Sequence, residues 1–348
     1  MKCLRGWVID AQVSQTGDLM DVWIFKEDRV MELVSIPWSP HIHVYGSQRD
    51  LNRLNNWLML AEISNRFSVG ATRFVKKRLS LDEYEMHDVL EINVVDSRNL
   101  RKLAEHIESK GSYSKYDLYS VDAHLAQRFF IEYNIAPFDF IEWNGNYFSK
   151  LQTENTWPNL RVVELDFEYL SDNGFHSISS KLKCIHIFEK NGFSMNNTRS
   201  FTLDNSDSDR KLLENLNNLV NELKPDIIIT NGGDALHFNY LDSLSSKNNI
   251  ELNLNRKCAN LAPRTMSRVV HSYGQVIRKD TYFPLHGRLH IDFKASFIVR
   301  EGGILGLFEL SKHSRQSPQD ISRLSPGSVI SAIPVSYTHL TLPTTRYV

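Results

Sequence analysis

Cysteine is scarce in this chain: among 348 residues there are only Cys3, Cys184 and Cys258. Three distant thiols, odd in number, argue against a disulfide framework and against a cysteine-based zinc site. Cys184-Ile185-His186 therefore reads as an incidental strand pair rather than a ligand pair. Long apolar runs are also missing. No stretch approaches the roughly 18–20 residues of a membrane span, and Met1-Lys2-Cys3-Leu4-Arg5-Gly6 lacks the apolar core of a signal peptide. The expected location is the cytoplasm, with no membrane partner. A net charge of −1 gives no global sign of a nucleic-acid partner, although a locally basic cleft stays compatible with one. What is present is an apolar fraction of 41%, ordinary for a soluble globular protein with material for two domains and no long disordered tract.

Residues 1–150 read as one small α+β unit. Gly6 to Val13 and Met20 to Phe25 are strand-like around the turn signal Thr16-Gly17-Asp18, and strands follow at Val30 to Ile36 and His41 to Tyr45. A helix with Leu51, Leu54 and Leu58 on one face comes next, then strands near Phe67 to Val75 and Val89 to Val94. Ser97 is placed to cap a helix whose apolar face is Leu100, Leu103, Ala104 and Ile107, and Leu125 to Tyr133 is a last helix closed by Ile135-Ala136-Pro137.

The second unit, residues 151–320, opens with Val162-Val163-Glu164-Leu165-Asp166-Phe167-Glu168. Residues i and i+2 of a strand share a face, so Asp166 and Glu168 project together. Like charges that close either hold a divalent metal with oxygen preferences or form a solvated strand end. Strands at Leu182 to Phe188 and Phe201 to Leu203 follow. Leu212, Leu213, Leu216, Leu219, Val220 and Leu223 then repeat at helical spacing behind Asp207-Ser208-Asp209. Pro225 stops that helix, Ile227-Ile228-Ile229 is a strand for the centre of a sheet, and Asp234 is placed to cap a helix through Leu236, Tyr240 and Leu244. Antiparallel strands, a helix, a central strand and a helix are the order of a ribonuclease H-like α/β domain. Arg264, Arg268, Tyr273, Arg278, Lys279, Tyr282 and Arg288, interleaved through an expected hairpin, either hold phosphates and stack bases or form a solvated strand face.

This order, with its particular residues, resembles the N-terminal and 3′–5′ proofreading exonuclease domains of family B DNA polymerases, especially archaeal ones, over residues 1–333. Val163-Glu164-Leu165-Asp166-Phe167-Glu168 resembles the first exonuclease motif, and Lys224 to Asp234 with Phe238-Asn239-Tyr240-Leu241 the second. Gly287-Arg288-Leu289-His290-Ile291-Asp292 is similar to the strand that follows, and Ser322-Arg323-Leu324-Ser325-Pro326-Gly327-Ser328 to the passage into the palm. Residues 321–333 are accordingly read as the start of a palm. The tail 334–348, from Pro334-Val335-Ser336-Tyr337-Thr338, resembles a translated sequencing adapter and is set aside from fold reasoning. Palm, fingers and thumb, with the residues of nucleotide addition, are expected outside this chain.

The resemblance implies two-metal phosphodiester hydrolysis at DNA 3′ ends with Mg²⁺ or Mn²⁺, and Asp166 and Glu168 as metal ligands. The chain departs from the pattern twice. Leu236-His237 stands where the family has Phe-Asp, which leaves the two-metal site incomplete because histidine is a poor ligand for Mg²⁺. No Tyr-x-x-x-Asp follows Gly302-Gly303, and its helix is expected to be deleted. Asp234 or Asp292 could lend a carboxylate, or serve as helix cap and satisfied turn; His237 could act as a base in place of the missing tyrosine, or be neutral filler. This degradation resembles a divergent archaeal lineage of the family. The implied partners are single-stranded DNA 3′ ends and primer-template DNA, the absent polymerase domains and a sliding clamp, at the nucleoid. Two readings follow: an impaired exonuclease, and a non-catalytic module that grips single-stranded DNA or supports the polymerase core.

Overall fold

The structure is a computed structural model that describes residues 3–80, 84–153, 157–170, 181–194, 196–257, 261–266, 268–272 and 275–338. Its first strands are β1 (Leu4–Val13), β2 (Leu19–Phe25) and β3 (Met31–Pro37), paired antiparallel. The β1–β2 turn passes through Gly17 at φ 84°, a left-handed conformation that glycine adopts without steric cost. The chain then leaves this sheet to build a second one. It comprises β4 (His41–Tyr45), β5 (Val69–Lys77), β6 (His87–Val94) and β7 (Asp117–Tyr119), in the order β5-β6-β4-β7. Helices α1 (Gln48–Leu58), α2 (Ala61–Phe67) and α3 (Leu100–Lys110) pack Leu51, Leu54, Leu58, Leu103 and Ile107 against Ile42, Leu90 and Ile92 of this sheet.

Ser97 does not cap α3. Asp96 caps the short 3-10 turn before that helix by accepting from Arg98 N, while the Ser97 hydroxyl donates to Gly17 O at 2.8 Å. The serine ties the two sheets together instead. After α4 (Leu125–Glu132), strands β8 (Phe140–Trp143) and β9 (Phe148–Lys150) return to the first sheet, giving β3-β2-β1-β8-β9. Arg128 of α4 is spent on structure: its guanidinium donates to Ser120 O and His41 O.

The second half is organised around β10 (Val162–Leu170), antiparallel to β11 (Lys181–Lys190), which is antiparallel to β12 (Asn197–Asp204). Helix α5 (Asp209–Leu223) begins at Ser208, whose side chain accepts from Lys211 N, and ends with Lys224 in the left-handed region before Pro225. Strand β13 (Ile227–Thr230) runs parallel to β10 and is buried along its whole length. A tight π-helical turn (Gly233–His237) leads into α6 (Phe238–Asn248). The hairpin β14 (Arg268–Ser272) and β15 (Gln275–Lys279) stands apart as a two-stranded sheet, and β16 (Leu289–Asp292) runs parallel to β13. The resulting order is β12-β11-β10-β13-β16, antiparallel from β12 to β10 and parallel from β10 to β16.

Alternation along β10 decides what each face carries. Val163, Leu165, Phe167 and Tyr169 join Leu213, Leu216, Phe238 and Leu241 in the core under α5 and α6. Val162 lies in a second core with Ile227, Leu289, Trp7 and Ile9, so that β1 packs against this sheet as well as its own. Helix α7 (Phe297–Ser314) completes that core, its Phe308 ring 4.0 Å from Phe138. The expected deletion after Gly302-Gly303 is thus not what the structure has. A helix does fill the interval, kinked at Gly303 (φ 67°), but its acidic residues Glu301 and Glu309 are exposed. A short α8 (Pro318–Ile321) follows, then α9 (Pro326–Thr338). Buried Gln319 stitches these layers: it donates to Asp10 Oδ2 and Leu285 O and accepts from Leu285 N and His290 N. Burial pushes the Asp10 carboxyl up to about 7.

Candidate active site

Asp166 and Glu168 both emerge from β10 on its exposed face, as the period of two requires. The register of β11 sets their neighbours, with His186 opposite Asp166 and Cys184 opposite Glu168. Glu168 Oε1 accepts from Lys183 Nζ at 2.7 Å, and Glu168 Oε2 accepts from Cys184 Sγ at 3.2 Å. His186 Nε2 lies 3.6 Å from the same Oε2 and 3.3 Å from Cys184 Sγ. The hydrogen bond from Lys183 holds the Glu168 carboxyl below its usual range, while burial pushes the Cys184 thiol up to about 11. Asp166 Oδ1 accepts from Phe167 N at 3.0 Å.

The other two candidate carboxylates are committed elsewhere. Asp234 is buried: Oδ2 accepts from Arg323 Nε at 2.8 Å, Oδ1 accepts from Phe283 N at 3.1 Å, and His290 Nδ1 is 3.6 Å from Oδ1. Burial opposes the charge on Asp234, but Arg323 and His290 outweigh it and hold the carboxyl below its usual range. Its side chain caps no helix. Asp292 does that from the neighbouring strand end, accepting from Gly232 N at 2.7 Å and Lys294 N at 3.1 Å on Oδ1 and from Asp234 N at 2.9 Å on Oδ2. This is the satisfied turn expected for Asp292.

His237 sits on the other side of β10 from Glu168. Its ring stacks on Phe167 at 4.4 Å and 10°, its Nδ1 accepts from Tyr169 OH at 2.8 Å, and its Nε2 donates to Asn231 O at 3.1 Å. Both ring nitrogens are bonded in the neutral tautomer and the residue is buried. The structure therefore brings His237 to the aromatic core and not to the Asp166–Glu168 face.

The basic residues divide. Arg288 is turned inward, its guanidinium donating to Pro225 O, Asn253 O and Leu254 O, so it is a strut and not a nucleic-acid contact. Arg264 donates to buried Asp320 at 2.7 Å but keeps 44% of its side chain exposed. Arg268, Arg278 and Lys279 lie on the β14–β15 hairpin, where the backbone alone is described, and Tyr273 lies outside the described residues.

A two-magnesium centre needs several hard oxygens converging on a pair of ions. Here Asp234 and Asp292 spend their oxygens inside a buried network, Lys183 covers one oxygen of Glu168, and the groups gathered around the other are a thiol and an imidazole. That set does not fit such a centre. Among the described residues, the group of three candidate ligands close enough to share an ion is Glu168, Cys184 and His186. Sequence reading set the last two aside because the period of two along 184–186 was visible but the register against β10 was not.

The fold is one found in a family B DNA polymerase, as the sequence resemblance implied. In particular, the structure aligns with the family B DNA polymerase of the hyperthermophilic archaeon Pyrobaculum calidifontis at a TM-score of 0.73 and 15% identity. The alignment covers 99% of this chain and 52% of that one. Among curated proteins, the chain is similar to the DNA polymerase of Archaeoglobus fulgidus, 23% identical over 277 residues, 76% of this chain and 33% of the relative. It is also similar to DNA polymerase 3 of Saccharolobus solfataricus, 22% identical over 252 residues, 68% and 30% of the two chains. This chain thus spans about a third of the length of the curated relatives it matches. No protein-family model matches it. Among the described residues no helix is long and apolar enough to cross a membrane.

Proposed function

We propose that this chain is the DNA-engaging N-terminal and exonuclease-type region of a family B DNA polymerase in which 3′–5′ phosphodiester hydrolysis is severely impaired. Its remaining task is to hold a single-stranded 3′ end or primer-template DNA beside the polymerase domains. The observation that carries this reading is the burial of Asp234 against Arg323 and of Asp292 in its turn. With both withdrawn, Asp166 and Glu168 are the exposed pair left to hold Mg²⁺ or Mn²⁺, and each lost metal removes several kcal/mol of transition-state stabilisation. The domain boundaries near residues 150 and 320, a sliding clamp as partner and a nucleoid location belong to the same proposal.

The test is degradation of a 3′-labelled single-stranded DNA by the full chain with Mg²⁺ or Mn²⁺, beside Asp166→Ala/Glu168→Ala. Binding of the strand with no metal-dependent loss of 3′ nucleotides beyond the double variant is expected. Robust degradation that disappears in the double variant would overturn the impairment, and failure to bind the strand would overturn the DNA-holding role.

A further inference from the structure

We propose that Glu168, Cys184 and His186 form a binding site for a zinc-type divalent cation on the β10–β11 face. Three observations carry it. The first is the triangle of donor atoms: Glu168 Oε2 to Cys184 Sγ is 3.2 Å, Cys184 Sγ to His186 Nε2 is 3.3 Å, and His186 Nε2 to Glu168 Oε2 is 3.6 Å. Tetrahedral zinc with its usual bond lengths to sulfur, nitrogen and oxygen separates such donors by about 3.3–3.6 Å. The three atoms already stand at nearly that spacing.

The second is the orientation of each donor. His186 turns Nε2 to the triangle with its Nδ1 bonded to Thr202 Oγ1 on β12 at 3.0 Å, an outer contact of the kind that orients the ring of a metal-binding histidine. Lys183 holds Glu168 by Oε1 and leaves Oε2 facing the thiol and imidazole. Cys184 is buried to 2% exposure, yet its sulfur faces the half-exposed Glu168 carboxylate.

The third is the donor chemistry. A thiolate, an imidazole and one carboxylate oxygen suit zinc or cobalt and not magnesium. Three protein ligands leave a fourth position for water or an incoming oxygen ligand, on the side where Glu168 meets solvent. The proposal does not depend on the DNA-binding reading, since the ion is held whether or not a strand is bound or cut.

The test uses the full chain, stripped with a chelator, dialysed and titrated with Co²⁺. One equivalent is expected to bind, with sulfur-to-cobalt charge-transfer absorption and the intense visible bands of tetrahedral cobalt, and Zn²⁺ is expected to displace it. Cys184→Ser should abolish the charge-transfer band, whereas Cys3→Ser and Cys258→Ser keep it. Glu168→Gln and His186→Ala, at partly exposed positions that leave the core intact, should each weaken binding at least tenfold. Thr202→Val should weaken it about tenfold through the His186 ring. Circular dichroism of each variant identifies any that does not fold. Absence of a charge-transfer band in the parent chain, a band that survives Cys184→Ser, or cobalt affinity unchanged in folded Glu168→Gln and His186→Ala would overturn the site. DNA degradation and strand binding play no part in these readouts, so failure here leaves the functional proposal standing, and the reverse holds too.

Discussion

Arg323, just beyond α8, donates its Nε–H to Asp234 Oδ2 at 2.8 Å, and this contact decides what Asp234 is for. The guanidinium also donates to His290 O and Gln319 O, and lies over the Tyr282 ring at 4.7 Å. A carboxylate held this way locks the entry to α6 against the segment after β16.

Removing one partner of that pair is expected to cost about 3–5 kcal/mol, because it strands the other charge in the interior. Asp234→Asn and Arg323→Ala should therefore lower the urea midpoint strongly, and the double variant should recover part of the loss. If either single variant unfolds at the parent's midpoint, the pair is not structural.

Writing the family's aspartate back into the second motif is expected to fail. His237→Asp would place a carboxylate between Phe167 and the Tyr169 hydroxyl in a buried position shaped for a hydrogen-bonded, stacked ring. We expect a loss of roughly 3 kcal/mol or more in stability and no gain in 3′-nucleotide removal. Metal-dependent degradation appearing in His237→Asp would refute this account of the residue.

Arg288 gives a separate check on the nucleic-acid surface. Arg288→Ala removes its donors from Asn253 O and Leu254 O and leaves Pro225 O to Arg256 alone, and should destabilise the fold by about 2 kcal/mol. Affinity for a single-stranded oligonucleotide, measured below the melting temperature by fluorescence anisotropy, should keep the parent's salt dependence. A shallower salt slope would mean that this arginine reaches phosphate after all.

Acid should weaken the fold before the ordinary carboxylates titrate. Burial pulls His43 and His290 each down to about 4 from an unfolded value near 6.5. Buried Asp10, raised to about 7, works in the opposite sense, but two imidazoles against one carboxyl leave the folded state with fewer protons than the unfolded one below about pH 6.5. The stability this provides is complete above about pH 6.5 and is lost as pH falls towards 4. The urea midpoint should drop from pH 6.5 to 5, with a flatter trend in His43→Gln. A constant midpoint over this range would contradict neutral buried imidazoles.

Much of the fold was legible because its signals are local. The six apolar positions of α5 recur at helical spacing and are all buried, and Ile227-Ile228-Ile229 is a buried interior strand beside the central β10. Capping was read less well. Ser97 and Asp234 have the right residue types in the right places, yet Asp96 and Asp292 do the capping. Which oxygen reaches an N–H depends on strand ends that meet from different parts of the chain. Helix α7 was hidden because Gly302, Gly303 and Gly306 interrupt its pattern, while burial of Leu307 and Phe308 against the β1 side supplies the stability that propensity withholds.

The sequence alone determined that Asp166 and Glu168 share a face, because a strand alternates with period two whatever it packs against. It also determined that His237 cannot replace a hard oxygen ligand, because that is a property of imidazole. Only tertiary structure decided the company these residues keep. The β10–β11 register brings Cys184 and His186 to Glu168, and the approach of Arg323 turns Asp234 into an ion-pair partner. Register and long-range ion pairs arise from many packing contacts summed over the whole sheet, and no local stretch of sequence encodes that sum.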